Sequence, residues 1–146
     1  MLTGEVCSHC LSEVAEMISK RFIDYSMRCM SICIAVAIFS LSAQSKLPIP
    51  ETVSFRGLDK LLHACAFGAL AFTLSYWFAA DKWRTKPFRY FALVCLITAC
   101  YGISDEVHQI FVPGRDASIY DWFADCTGAV LTTLARLAML KLRLVS

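Results

Sequence analysis

Tyr90-Phe91-Ala92-Leu93-Val94-Cys95-Leu96-Ile97-Thr98-Ala99-Cys100-Tyr101-Gly102-Ile103-Ser104 carries no charge along its whole length and is followed at once by Asp105 and Glu106. A helix needs about 20 mainly apolar residues to cross about 30 Å of hydrocarbon at a rise of about 1.5 Å per residue. Starting near Phe88, this segment approaches that length, and the acid pair marks its far end. Three further segments read the same way. Residues 29 to about 45 are uncharged and rich in Ile, Ala and Val, and Pro48 and Pro50 end them. Leu61 to Ala80 is interrupted by His63, and about Ile119 to Leu140 carries Asp121, Asp125 and Arg136. The fold predicted is all-α, a bundle of four transmembrane helices.

Composition points the same way, with 58% hydrophobic and 18% charged residues and a mean hydropathy of +0.57. Those values exclude an ordinary water-soluble domain. A net charge of +2, with basic residues spread along the chain, excludes nucleic acid as a partner. No basic n-region or small-residue cleavage site opens the sequence, so the first span is expected to be retained. Residues 1–26 are expected to be a polar N-terminal segment, with Val14, Met17, Ile18 and Phe22 at the spacing of a surface helix, ahead of a membrane domain over 27–146. Cys29, Cys33, Cys65, Cys95, Cys100 and Cys126 lie in apolar runs and read as small hydrophobes. Cys7-Ser8-His9-Cys10 is half of a metal knuckle without a second half.

Orientation follows from Lys and Arg, which favour cytoplasmic loops. Lys20, Arg21 and Arg28, then Lys82, Arg84, Lys86 and Arg89, then Arg136, Lys141 and Arg143 fall on one side; Lys46, Arg56, Lys60 and Arg115 fall on the other. Both termini are therefore expected in the cytoplasm, with the chain multi-pass in the cytoplasmic (inner) membrane. The opposite, outer face carries Glu51, Asp59, Asp105, Glu106, Asp116, Asp121 and Asp125. Arg136, about one turn from the cytoplasmic end, is expected to snorkel.

The polar groups of that face fall into helical patterns. Asp59 and His63 share a helix face, where the carboxylate can hold the imidazole tautomer; alternatively Asp59 only favours a helix N-terminus and His63 bonds a neighbouring helix. Asp105, His108 and Gln109 share another face, with Glu106 pointing elsewhere. Phe111-Val112-Pro113-Gly114-Arg115 reads as a tight turn that aims Arg115 back toward the acids. Asp121 and Asp125 are one turn apart, and too few residues follow Asp125 to leave it outside the hydrocarbon. An aspartate there costs up to about 2.5 to 3.5 kcal/mol unless it is neutral, paired or hydrated; a structural pair with Arg115 or Lys60 is the alternative. Ala64 and Gly68, and Ala124 and Gly128, are spaced for close helix approach, so the second and fourth spans are expected to pack together and hold His63 and Asp125 in one pocket.

Asp59-Lys60-x-x-His63, Tyr101-Gly102-x-x-Asp105-Glu106-x-x-Gln109-x-Phe111-x-Pro113-Gly114-Arg115 and Asp121-x-x-x-Asp125-x-x-Gly128 together resemble the VanZ-like family, over about Cys29 to Leu140. The chain departs from the family in Ala64, where an aromatic commonly follows the histidine, and in Asp125, where many relatives have asparagine. The resemblance implies a small bacterial membrane protein with a common outer-face site at Asp59, Lys60, His63, Asp105, Glu106, Gln109, Arg115, Asp121 and Asp125. The founding member is associated with low-level resistance to the glycopeptide teicoplanin.

Three functional readings follow. In the first, the site binds the head group of a cell-envelope lipid or lipid-linked precursor, Arg115 and Lys60 meeting phosphate and Glu106, Gln109 and Asp121 meeting hydroxyls or amines. In the second, an intramembrane enzyme modifies such a lipid, with His63 as general base oriented by Asp59, Asp105 or Asp125 as acid or metal ligand, and Arg115 facing developing negative charge. In the third, the cluster only locks the helices of a structural or partner protein. The carboxylates and imidazole can hold a divalent metal, although no motif requires one. Neither a nucleophile elbow nor a phosphate loop nor HExxH is present, so binding is favoured over catalysis.

Overall fold

A computed structural model describes residues 3–45 and 57–142, with side chains from His9 onward. Lys46, Pro48, Pro50, Glu51, Arg56, Arg143 and the Cys7 side chain lie outside the described residues. Every regular element among the described residues is helical: α1 (Thr3–Ser42), α2 (Leu58–Leu74), α3 (Ala80–Thr85), α4 (Pro87–Gln109) and α5 (Ile119–Leu142), with a 3₁₀ turn over Ser75–Trp77. Four of these helices are long and apolar enough to cross a membrane.

α1 has no helix breaker after Gly4, and it runs for 40 residues without interruption through the polar N-terminal segment and the first span. Arg28 Nε donates to the Tyr76 carbonyl at 3.1 Å, which sets residue 28 level with the end of α2. The earlier part of α1 extends past the bundle, with Glu16 and Lys20 paired at 2.7 Å along it. α2 starts after Gly57, whose φ of 91° is a left-handed conformation that glycine adopts without strain. It stops short of the expected Ala80. The Ser75 carbonyl is claimed by the Phe78 amide at 3.3 Å and by the Trp83 indole at 3.1 Å, so the chain turns into short α3 instead of continuing the span. Pro87 then opens α4 at a position where a missing N–H costs nothing.

α1 and α4 run one way, α2 and α5 the other. The closest pair is α2 with α5, which are parallel. A Cβ on Gly128 would collide with the Ala64 carbonyl, and one on Gly68 would lie 3.1 Å from the Thr132 methyl, so small residues allow the backbones to approach as expected. Thr132 uses the proximity, its hydroxyl donating to the Gly68 carbonyl at 2.9 Å. α4 is tied to α5 by the Trp122 indole on the Ala99 carbonyl (3.0 Å) and to α1 by the Tyr101 hydroxyl on the Ala35 carbonyl (2.7 Å).

Ala71, Trp83, Val94, Ala129 and Leu140 form one buried cluster, and Ile38, Phe67 and Leu70 another nearer the polar end. Large side chains such as Ile32, Val36, Leu96 and Leu131 face outward, as expected of surfaces solvated by lipid. Cys29, Cys33, Cys65 and Cys100 are exposed there as free thiols. Arg136 is only 6% exposed, with its guanidinium carbon 3.8 Å over the Tyr76 ring at the turn that ends α2.

Candidate functional site

The end of α1, the start of α2, the end of α4 and the start of α5 meet at one end of the bundle, and nearly all of its unusual polar groups are there. Asp125, one turn into α5 from Asp121, is completely buried. Gly102 on α4 makes room for it: a Cβ at that position would stand 3.0 Å from Asp125 Oδ2 and 3.2 Å from Trp122. Asp125 Oδ1 lies 3.0 Å from His63 Nδ1. An ionised carboxylate only accepts, so with the imidazole neutral Nδ1 carries the ring proton and Nε2 keeps its lone pair. Of the two readings left open by the spacing, the contact is that of the second, in which His63 bonds a neighbouring helix. Asp59, although one turn from His63, contacts Lys60 at 3.1 Å, and His63 reaches across to α5, which the close approach at Gly128 brings nearer.

Lys60 also bonds Asp121 Oδ1 at 2.9 Å, so the lysine of the site is held between two carboxylates, and Asp121, not Asp125, is its partner on α5. Asp105 is nearly enclosed. Its Oδ2 accepts from Ser42 Oγ at 2.9 Å and from Gln109 Nε2 at 3.0 Å, which joins the ends of α1 and α4. Glu106 does not point elsewhere. Where α4 ends it is covered by α1 on one side and by the turn into α5 on the other, so adjacent residues are both buried; Glu106 Oε2 accepts from the Ser118 amide at 2.7 Å. His63, Asp105 and Glu106 each offer a ligand atom within 4.8 Å of the others. His108 leaves this group and stacks on Phe39, ring centroids 4.5 Å apart.

The predicted turn is present. Arg115 N donates to the Val112 carbonyl at 3.1 Å around Pro113 and Gly114, whose φ is 82°, the pattern of a type II turn. It does not deliver Arg115 to the acids. Arg115 Nε donates at 2.9 Å to the Gln44 carbonyl just beyond the end of α1, where exposed carbonyls attract a cation, and among the described residues no ion pair joins it to a carboxylate.

A cavity of about 320 Å³ opens between α1, α2 and α4, lined by Ile38, Leu41, Leu62, Ala66 and Phe67 and by Ser42, Asp59, His63, Asp105, Gln109 and Arg115. Most of its wall is apolar surface, with a few ionisable or hydrogen-bonding groups among it. Ser42, the Ser118 amide and Gly102 belong to the site and were not predicted. Their roles depend on contacts between helices, which spacing within one helix cannot express.

A family model described as VanZ/LLP1 matches residues 12–140, from within the N-terminal part of α1 almost to the end of α5. No curated protein and no solved structure matches the chain. Since the match covers most of the sequence and includes every residue of the site, the chain belongs to the VanZ/LLP1 family of polytopic membrane proteins.

Proposed function

We propose that the cavity binds the polar head group of a membrane lipid or lipid-linked cell-envelope precursor, with the acyl or prenyl chain lying along the outer surface of the bundle. One observation carries this reading: a mainly apolar cavity, lined by Ile38, Leu41, Leu62 and Ala66, also has Asp59, His63, Asp105, Gln109 and Arg115 among its lining residues. A lipid is itself mainly apolar, with a few polar groups. Arg115 is the cation that can face a phosphate, since Lys60 is already engaged by Asp59 and Asp121. The site is placed on the non-cytoplasmic side of the cytoplasmic membrane, a reading supported by Arg28, Lys82, Arg84, Lys86, Arg89 and Lys141, which gather at the opposite end. Sequestering an envelope precursor on that side gives a physical route to altered teicoplanin susceptibility.

Lipid extracted from protein purified in mild detergent tests the proposal. Wild type is expected to retain a phosphorylated lipid that Arg115→Ala loses; equal retention by both defeats it. A second reading, catalysis on the same lipid, is favoured by the His63–Asp125 contact of 3.0 Å, which is the geometry of an oriented general base. It requires that lipid incubated with wild type change chemically and that lipid incubated with His63→Gln remain unchanged.

A further inference from the structure

We propose that His63, Asp105 and Glu106 form a binding site for a divalent first-row transition metal ion, with Asp125 as the group that orients the histidine. The hydrogen bonds around these residues leave one ligand atom free on each. His63 uses Nδ1 on Asp125, leaving Nε2. Asp105 uses Oδ2 on Ser42 and Gln109, leaving Oδ1, and Glu106 uses Oε2 on the Ser118 amide, leaving Oε1. Asp105 Oδ1 and Glu106 Oε1 are both buried and without a hydrogen-bond partner. Their residues are 3% and 8% exposed, so water does not freely replace the missing partner.

Charge makes the same demand. Asp105 and Glu106 stand side by side, and among the described residues neither is in an ion pair; Lys60 is spent on Asp59 and Asp121. One divalent cation balances two carboxylates. Ligand atoms of the three residues lie within 4.8 Å of one another. Ligands bound at about 2.1 Å stand about 3.0 Å apart at right angles and about 3.4 Å apart in a tetrahedron, so a side-chain closure of up to about 1.4 to 1.8 Å completes the site.

Mixed nitrogen and oxygen ligation selects the class of ion. Mg²⁺ and Ca²⁺ prefer all-oxygen cages, whereas imidazole with carboxylates suits Mn²⁺, Fe²⁺ or Zn²⁺. The Asp125–His63 contact is the carboxylate–histidine arrangement found behind metal-bound imidazoles, where it sets the tautomer and strengthens the ligand. Three protein ligands leave coordination positions open, and His63 and Asp105 line the cavity from which a small oxygen ligand would reach them. The site does not depend on the head-group reading, since it can be filled and measured with no lipid present.

Mn²⁺ is the probe, because the cysteine thiolates that would compete for Zn²⁺ bind it poorly. Full-length protein in detergent, stripped with EDTA, is titrated with Mn²⁺ and free metal is read by electron paramagnetic resonance. Wild type is expected to bind one Mn²⁺ per chain. Glu106→Gln and Asp105→Asn, close isosteres of the native residues, are expected to weaken binding at least tenfold, and Asp125→Asn by about tenfold or more through the histidine. Asp81→Asn, on α3 at the opposite end of the bundle, is expected to bind as wild type does. Elution volume on gel filtration confirms that each variant is folded, and Glu106→Gln serves should Asp105→Asn fail. Absence of binding at millimolar Mn²⁺, or equal binding by wild type and folded Glu106→Gln, overturns the proposal.

Discussion

His63 Nδ1 and Asp125 Oδ1 lie 3.0 Å apart and tie α2 to α5 at the depth where Asp125 is wholly buried. Removing one member of a buried pair strands the other, which typically costs about 3 to 5 kcal/mol. Asp125→Leu is therefore expected to lower the thermal unfolding midpoint in detergent sharply. Asp125→Asn keeps an oxygen that can accept from Nδ1–H and is expected to unfold close to wild type. Equal midpoints for the leucine and asparagine variants would show that the contact contributes nothing.

The α2–α5 interface depends on the missing side chain of Gly128, since a Cβ there meets the Ala64 carbonyl, a backbone atom that no rotamer change can move. Gly128→Ala is expected to destabilise by about 1 to 3 kcal/mol or more, as overpacking does. Gly68→Ala should be milder, because its nearest obstacles, the Thr132 methyl at 3.1 Å and the Gly128 carbonyl oxygen at 3.2 Å, need give by only a few tenths of an ångström. Ala64→Gly should fail to rescue Gly128→Ala, since it leaves the carbonyl in place. Rescue would locate the obstacle in the Ala64 side chain instead.

These two contacts mark the boundary of what was legible in the sequence. Spans, their approximate ends, the turn at Pro113-Gly114 and the close packing of α2 on α5 all follow from composition and from periodicity within single segments. The partner of each polar group does not. Asp59 is one turn from His63 in sequence, yet its contact is Lys60; Glu106 is set about 100° round the helix from Asp105, yet α4 is enclosed on both of those sides. Ser42 carries no motif, and it bonds Asp105 only because α1 and α4 happen to end together. Arg115 was aimed correctly at this end of the bundle, but the exposed carbonyl beyond α1 took it.

Orientation rests on the distribution of Lys and Arg, and labelling decides it. In a background freed of native cysteines, a cysteine placed at Asp116, in the turn before α5, is expected to react in intact cells with a membrane-impermeant maleimide. One placed at Lys86, between α3 and α4, is expected to react only after permeabilisation. The reverse pattern would put the polar cavity on the cytoplasmic side and remove an exported precursor as its ligand.

At the other end of the bundle, Arg136 stacks 3.8 Å over the Tyr76 ring. The guanidinium has interactions besides the ring, so substituting Arg136 would remove several at once, and Tyr76 is the cleaner position to vary. A desolvated cation over an aromatic face contributes up to about 2 kcal/mol, and the ring rather than the hydroxyl supplies it. Tyr76→Phe should therefore leave thermal stability nearly unchanged, whereas Tyr76→Leu, similar in hydrophobicity but without a π-face, should lower it by about 1 to 2 kcal/mol. Arg136→Lys keeps the charge but loses the planar guanidinium over the ring, so its cost should be the same in the wild type and in the Tyr76→Phe background. A stable Tyr76→Leu protein would mean that the stack contributes little to anchoring α5 beside the turn that ends α2.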